Sequence, residues 1–211
     1  MPRIISIERV KRQKSWYELC LDNGNSFAVN DELILKYLLK TGKTLSNDEL
    51  NRVRRQSEYL YLTKKALDIL ARRRITEKEI RNKLKPVKSS AGHIDKVITE
   101  LKKLGFIDDY SYAVSLIQSS LSGSPRSVRY IRQKMYQKGV PSETADKAIN
   151  DELSDYNEYE AALKLGQKKH KTVTRLPELK AKKRIADFLR GRGFNWDVIN
   201  EVINNLFTGD K

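Results

Sequence analysis

The sequence is poor in the residues that most chemistry requires. Cysteine occurs once, at Cys20, so no intrachain disulfide can form and a reducing cytosol fits; within an alternating stretch it reads as a small packing residue, not a nucleophile. Histidine occurs only at His93 and His170, far apart and without Cys or Asp at ligand spacing, which argues against a metal site. No apolar run approaches the roughly 20 residues that cross a bilayer. The opening Met1-Pro2-Arg3-Ile4-Ile5 lacks a secretory core, so a cytoplasmic protein away from membranes is expected. Gly-rich phosphate loops and dinucleotide fingerprints are missing. The one acidic pair in a suggestive position, Asp108-Asp109, suits a helix start, where carboxylates meet free backbone N–H groups, better than acid–base work. No enzyme and no cofactor are expected.

What the chain has in excess is positive charge. Lys and Arg number 42 against 27 Asp and Glu in 211 residues, a net +15. Such an excess favours a polyanionic partner, either nucleic acid or an acidic protein surface.

A repeated apolar pattern underlies this charge. Ile80 and Leu84, Ile131 and Met135, and Ile185 and Leu189 each stand four apart. A second set follows downstream: Ile94, Val97 and Ile98; Ala145, Ala148 and Ile149; Ile199, Val202 and Ile203. Both anchors shift by 51 residues from the first copy to the second and by 54 from the second to the third. Equal shifts at two anchors indicate tandem copies of one small helical unit, which must stack to bury its apolar faces. The fold class expected is mainly α: three-helix repeats at 59–108, 109–157 and 158–211 in an elongated curved stack.

The segment 1–58 differs. Residues 4–10 are rich in β-branched side chains. Residues 16–21 alternate, with Tyr17, Leu19 and Leu21 on one side and Trp16, Glu18 and Cys20 on the other. Asn23-Gly24 is a strong hairpin signal. These predict a small three-stranded antiparallel β meander that needs a neighbouring helix for stability. Asn30 should cap a helix carrying Leu33, Ile34, Tyr37 and Leu38 and ending at Gly42. Ser46 and Glu49 form a capping box for the next helix. Within the repeats, Thr76 with Glu79 is a further capping box, Ser89, Ser90 and Gly92 belong to a loop, Pro125 suits a first helical position, Gly139 caps a helix end and Asn195 a helix start.

Charge is sorted along the repeats. Residues 124–138 hold 5 basic and no acidic residues, 164–192 hold 11 and 2, and 64–88 hold 10 and 3, whereas 142–158 hold 1 and 6. Positive charge returns with each middle helix, and stacking would merge the clusters into one stripe. The candidate contacts to nucleic acid or filament are Arg72, Arg73, Arg74, Lys83, Arg126, Arg129, Arg132, Lys134, Lys182, Lys183, Arg184, Arg190 and Arg192. The tyrosines Tyr59, Tyr61, Tyr110, Tyr112, Tyr130 and Tyr136 fit the core better than base stacking.

Several local patterns resemble the RecX family of bacterial recombinase regulators. They are Arg74-Ile75-Thr76 with Glu79-Ile80 and Leu84, then Leu104-Gly105-Phe106-Ile107-Asp108-Asp109 continuing to Tyr112-Ala113. Tyr130-Ile131-Arg132-Gln133-Lys134-Met135 with Lys138-Gly139-Val140 follows, and Arg190-Gly191-Arg192-Gly193-Phe194 matches more loosely. The resemblance covers 59–207. It implies a curved helical repeat protein that binds the RecA recombinase and its filament on single- or double-stranded DNA. It further implies a modulator of that filament, chiefly by inhibition of ATP hydrolysis and strand exchange, and itself no hydrolase. A monomer is expected. The rival reading is a stand-alone helical DNA-binding protein such as a transcription factor, because three-helix units resemble helix-turn-helix domains. Against it, the middle helices lack a convincing set of side chains for base edges.

Overall fold

A computed structural model describes residues 1–11, 13–87 and 91–208. The chain divides into two compact units. The first comprises Met1–Arg73 and Ile80–Phe106, the second Arg74–Glu79 and Ile107–Lys211.

In the first unit, strands β1 (Ile4–Arg9), β2 (Trp16–Leu21) and β3 (Ser26–Asn30) form an antiparallel meander in the order β1-β2-β3. Gly24 takes φ +78 in the β2–β3 turn, which the Asn-Gly pair permits at low cost. Leu19, Leu21, Val29 and Ile4 pack with Leu39, Leu45 and Val53. Trp16, expected on the opposite side from Leu19, is buried as well, because its indole meets the Tyr61 ring edge-on at 5.2 Å. The meander therefore leans on a helix, as its size requires.

That helix is α2 (Asn47–Leu70), which follows the short α1 (Asp31–Lys36). Asn30 caps α1 through Leu33 N–H. The helix stops well before Gly42, with Leu38 itself at φ +47 and exposed. Gly42, at φ +88, sits in a turn tied to the sheet: its N–H donates to the Ile4 carbonyl and its own carbonyl accepts from Arg3. The Ser46–Glu49 capping box is complete in both directions. From it α2 runs unbroken across position 59, where the first repeat was expected to begin. Ser57 explains part of this: it is buried, and its hydroxyl donates to the Ala28 carbonyl of β3, so the middle of α2 is held on the sheet. α2 packs on α4 (Ala91–Lys103), while α3 (Glu77–Leu84) buries Ile80 and Leu84. Gly92, expected in a loop, lies in the first turn of α4; Ser89 and Ser90 lie outside the described residues.

The second unit holds two sets of three helices. α5 (Asp109–Leu121), α6 (Val128–Lys138) and α7 (Ser142–Leu153) enclose Ala113, Ile117, Ile131, Met135, Ala145 and Ala148. α8 (Glu158–His170), α9 (Glu178–Arg190) and α10 (Trp196–Thr208) enclose Ala162, Leu165, Ile185, Leu189, Ile199 and Val202. Every repeat anchor read from the sequence is buried except Ile203, which stays partly open. Asp108 caps α5 through the N–H groups of Tyr110 and Ser111. Asn195 accepts from Val198 N–H at the start of α10. Pro125 is not the first residue of α6; Ser127 is its N-cap, accepting from Tyr130 N–H. Tyr110, Tyr112 and Tyr130 are partly buried, but Tyr136 is 76% exposed and is no core residue.

Candidate polyanion-binding surface

The positions of the candidate cations follow from one junction that the second unit makes twice. α6 ends at Gly139, in the left-handed conformation at φ +80, with Val140 N–H returning to the Met135 carbonyl. The Lys138 carbonyl just before it accepts a hydrogen bond from the Thr76 hydroxyl at 2.6 Å, and Lys138 Nζ pairs with Glu79 at 2.9 Å. After α9 the chain makes the equivalent contact with a backbone donor in place of the hydroxyl. The Arg192 carbonyl, 54 residues beyond that of Lys138, accepts from Ser127 N–H at 3.2 Å, and Gly193 follows at φ +91. Thr76 and Ser127 are equivalent residues, both buried and both capping the helix they start. The end of one middle helix thus rests on the start of the preceding one. Glycine is needed there for its positive φ, and because a Cβ at Gly193 would come within 2.5 Å of Ser127 Oγ and 2.7 Å of Tyr130 Cβ.

This junction engages two of the candidate cations, both partly buried. Arg192 donates from Nε to Ser124 Oγ at 2.9 Å and from Nη1 to the Phe188 carbonyl at 3.1 Å, with its guanidinium 3.6 Å from the Phe188 ring centre. Burial, followed by the neighbouring Arg126, lowers its pKa. Arg126 donates to the Gly191 carbonyl at 3.0 Å and lies over the Tyr130 ring, which Lys134 approaches at 5.6 Å. Arg126 and Arg192 hold the α6 and α9 segments together.

Arg132 is a second kind of structural cation. It forms an ion pair with Asp146 that joins α6 to α7. Arg81 and Asp95, each 51 residues earlier, make the same α3–α4 link at 2.5 Å. Arg74 reaches Ser115 at 3.2 Å, Lys182 pairs with Glu178 and Arg190 with Asp187, all at or near the surface.

Arg129, Lys183 and Arg184 are among the exposed middle-helix cations. Arg129 and Lys183 are equivalent positions, and each lines a groove between the second and third helices of its set. Arg184 faces a hollow of about 600 Å³ at the α8–α9 turn, which also presents Lys169, Lys171, Arg175, Thr172 and Thr174. Among the described residues, no carboxylate lines it. Sequence reasoning passed over Lys169, Lys171 and Arg175 because they lie off the middle helix, although the 11-to-2 charge count of 164–192 includes them. Four cations around one polar hollow can hold phosphate oxygens without a helix or a metal. Arg72, Arg73 and Lys83, in the first unit, are exposed. Among the described residues, no group of three or more His, Cys, Asp or Glu is placed to hold a metal, and no helix is long and apolar enough to cross a membrane.

Comparison with known proteins places this geometry. The family description "RecX, second three-helix domain" matches residues 108–149, and "RecX, third three-helix domain" matches 156–203. The regulatory protein RecX of Clostridium acetobutylicum is 32% identical over 97% of this chain and 96% of its own length. The chain belongs to the RecX family. The regulatory protein RecX of Clostridioides difficile is 27% identical over 99% of this chain and 97% of its own. A crystal structure of regulatory protein RecX superposes with a TM-score of 0.65 at 24% identity, covering 96% of this chain and 98% of that one, and RecX from Lactobacillus salivarius gives 0.62 at 23% over 71% and 96%. At these identities the two structures establish the shared fold. The two RecX domain matches fall on the two helix sets of the second unit, and the short tract between them contains the acidic end of α7.

Proposed function

We propose that this RecX-family chain binds the RecA recombinase and its nucleoprotein filament and restrains it, inhibiting ATP hydrolysis and strand exchange during DNA repair in the cytoplasm. The acting form is a monomer, and its functional divisions are 1–58, 59–108, 109–157 and 158–211. Family membership supports the recombinase as partner. The observation that carries the nucleic-acid side is the carboxylate-free hollow of Lys169, Lys171, Arg175 and Arg184. Its cations replace counterions along a phosphate backbone, while exposed Arg129 and Lys183 add charge at groove mouths. Contact with several filament subunits at once then holds the filament in one state, and no bond is made or broken by this chain.

The test is DNA-dependent ATP hydrolysis by a bacterial recombinase, with and without the protein, across a salt series. Inhibition that fades as salt rises is expected, with loss of most of it in a Lys171→Glu/Arg175→Glu/Arg184→Glu variant of unchanged helicity. Full inhibition by that variant would remove the hollow from the interface. Sequence-specific duplex binding with no effect on the recombinase would favour a stand-alone DNA-binding protein instead.

A further inference from the structure

The groove between the second and third helices is not the same in the two sets of the second unit. Between α6 and α7 the Arg132–Asp146 ion pair spans it. Between α9 and α10 the equivalent positions are Ala186 and Asn200, and no ion pair can form across them. Ser142 of the earlier groove is replaced by Trp196, and Pro125 by Leu179. The result is an open groove of about 560 Å³ with an apolar floor. Leu179 is 82% exposed and Trp196 58% exposed, and both line it. Ile203 also lines it and stays partly open, whereas its equivalent Ile149 is buried at 6%.

The rim is basic. Lys180, Lys182, Lys183 and Arg190 border the groove; Arg190 pairs with Asp187 and Lys182 with Glu178, so the rim keeps a net positive charge through Lys180 and Lys183. Leu179, Trp196 and Ile203 open onto one groove, and contiguous exposed apolar surface rimmed by polar residues marks an interaction site. Phosphates gain nothing from a floor of Leu179, Ala186 and Ile203, so nucleic acid does not account for it. An apolar floor with a cationic border fits an amphipathic helix whose apolar residues enter the groove and whose flanking residues are Asp and Glu.

We propose that the α9–α10 groove is a docking site for an acidic amphipathic helix of a partner protein. The inference deepens the proposed function by naming the surface for the protein side of the complex, and rests on it only for the source of the helix. Trp196 supplies the central anchor, and the rim lysines supply attraction and orientation.

Trp196 also reports on the site, because the other tryptophan, Trp16, is buried in the first unit. The probe is a fluorescein-labelled, helix-forming peptide with Leu and Phe at i, i+3, i+4 and i+7 and Asp or Glu elsewhere, compared with a version carrying Lys in place of every acid. Saturable binding of the acidic peptide with a blue shift of Trp196 emission is expected, and none with the basic one. Leu179→Ser/Trp196→Ala should weaken binding by about tenfold or more while leaving DNA affinity and melting temperature unchanged. An Ala186→Arg/Asn200→Asp variant, which restores the ion pair of the other groove, should block binding with both anchors still in place. Absence of saturable binding would overturn the proposal, as would equal binding of the two peptides or insensitivity to Leu179→Ser/Trp196→Ala. A blue shift produced by an oligonucleotide would reassign the groove to nucleic acid, and one produced by rising protein concentration alone to self-association; either overturns it. The titration contains no recombinase. If peptide binds and recombinase hydrolysis is untouched, only the proposed function fails.

Discussion

Arg132 and Asp146 join α6 to α7 by an ion pair, and the pair repeats a link made between Arg81 and Asp95 51 residues earlier. A candidate polyanion contact thus also links two of the protein's own helices. Both partners are about half exposed, at 52% and 49%, so solvent screening limits the pair to about 0.2–1 kcal/mol. Arg132→Glu should lower the melting temperature slightly by setting two carboxylates against each other. The exchange Arg132→Glu/Asp146→Arg should recover most of the loss. Thermal denaturation of the four proteins in the cycle measures this, and a loss unaffected by the exchange would show that the pair contributes nothing.

The middle-helix junction depends on Gly193. Gly24 and Gly193 both hold positive φ, but nothing lies within 4 Å of a Cβ placed at Gly24, whereas one at Gly193 would meet Ser127 and Tyr130. Gly24→Ala should cost about 1 kcal/mol, the strain of the left-handed backbone alone. Gly193→Ala should cost more, about 2–4 kcal/mol, because it also pushes α9 off the start of α6. Urea denaturation gives both values; equal costs would mean the junction yields freely.

Asp108 ties stability to pH. Its carboxyl is held below the usual range chiefly by the Ser111 hydroxyl, with burial opposing and the Ser111 and Tyr110 N–H groups and Arg74 adding. A depressed folded-state pKa stabilises the fold above the unfolded value of about 3.9, and the benefit is lost as pH falls through the folded value. Asp108→Ala should therefore cost about 1 kcal/mol at neutral pH, as loss of an N-cap does. The gap from the parent should narrow in acid. A gap constant down to the lowest pH at which both fold would exclude the charged cap as its source.

Salt dependence separates the two kinds of cation. Removing one cation that binds a phosphate should flatten the logarithmic salt slope for single-stranded DNA by about 0.7. Lys171→Ala, Arg175→Ala and Arg184→Ala should each do this. Arg192→Ala should instead lower stability through poorer packing on Phe188 and leave the slope unchanged. Fluorescence anisotropy over a range of salt concentrations, with melting curves alongside, distinguishes the outcomes.

The sequence by itself determined the mainly helical class, the meander and its turn, the repeat and nearly all of its buried anchors. Each of these rests on short-range physics: a 3.6-residue or two-residue apolar period, a positive φ at Gly24, and side-chain caps at Asn30, Ser46, Asp108 and Asn195. Length and termination of helices were less legible. α2 runs through because Ser57 reaches β3, and α1 stops early although Gly42 lay ahead, because Gly42 is tied to Ile4 and Arg3 of the sheet edge. Which cations find partners on another helix was decided by tertiary structure. Arg126, Arg132 and Arg192 look like Arg129 and Arg184 in one dimension, since a guanidinium carries the same charge wherever it points. Only the packing of α9 against α6, and of α7 beside α6, brings the Gly191 carbonyl, the Ser124 hydroxyl and the Asp146 carboxylate within reach. That packing gives Arg126, Arg132 and Arg192 partners within the protein while each stays partly open to solvent.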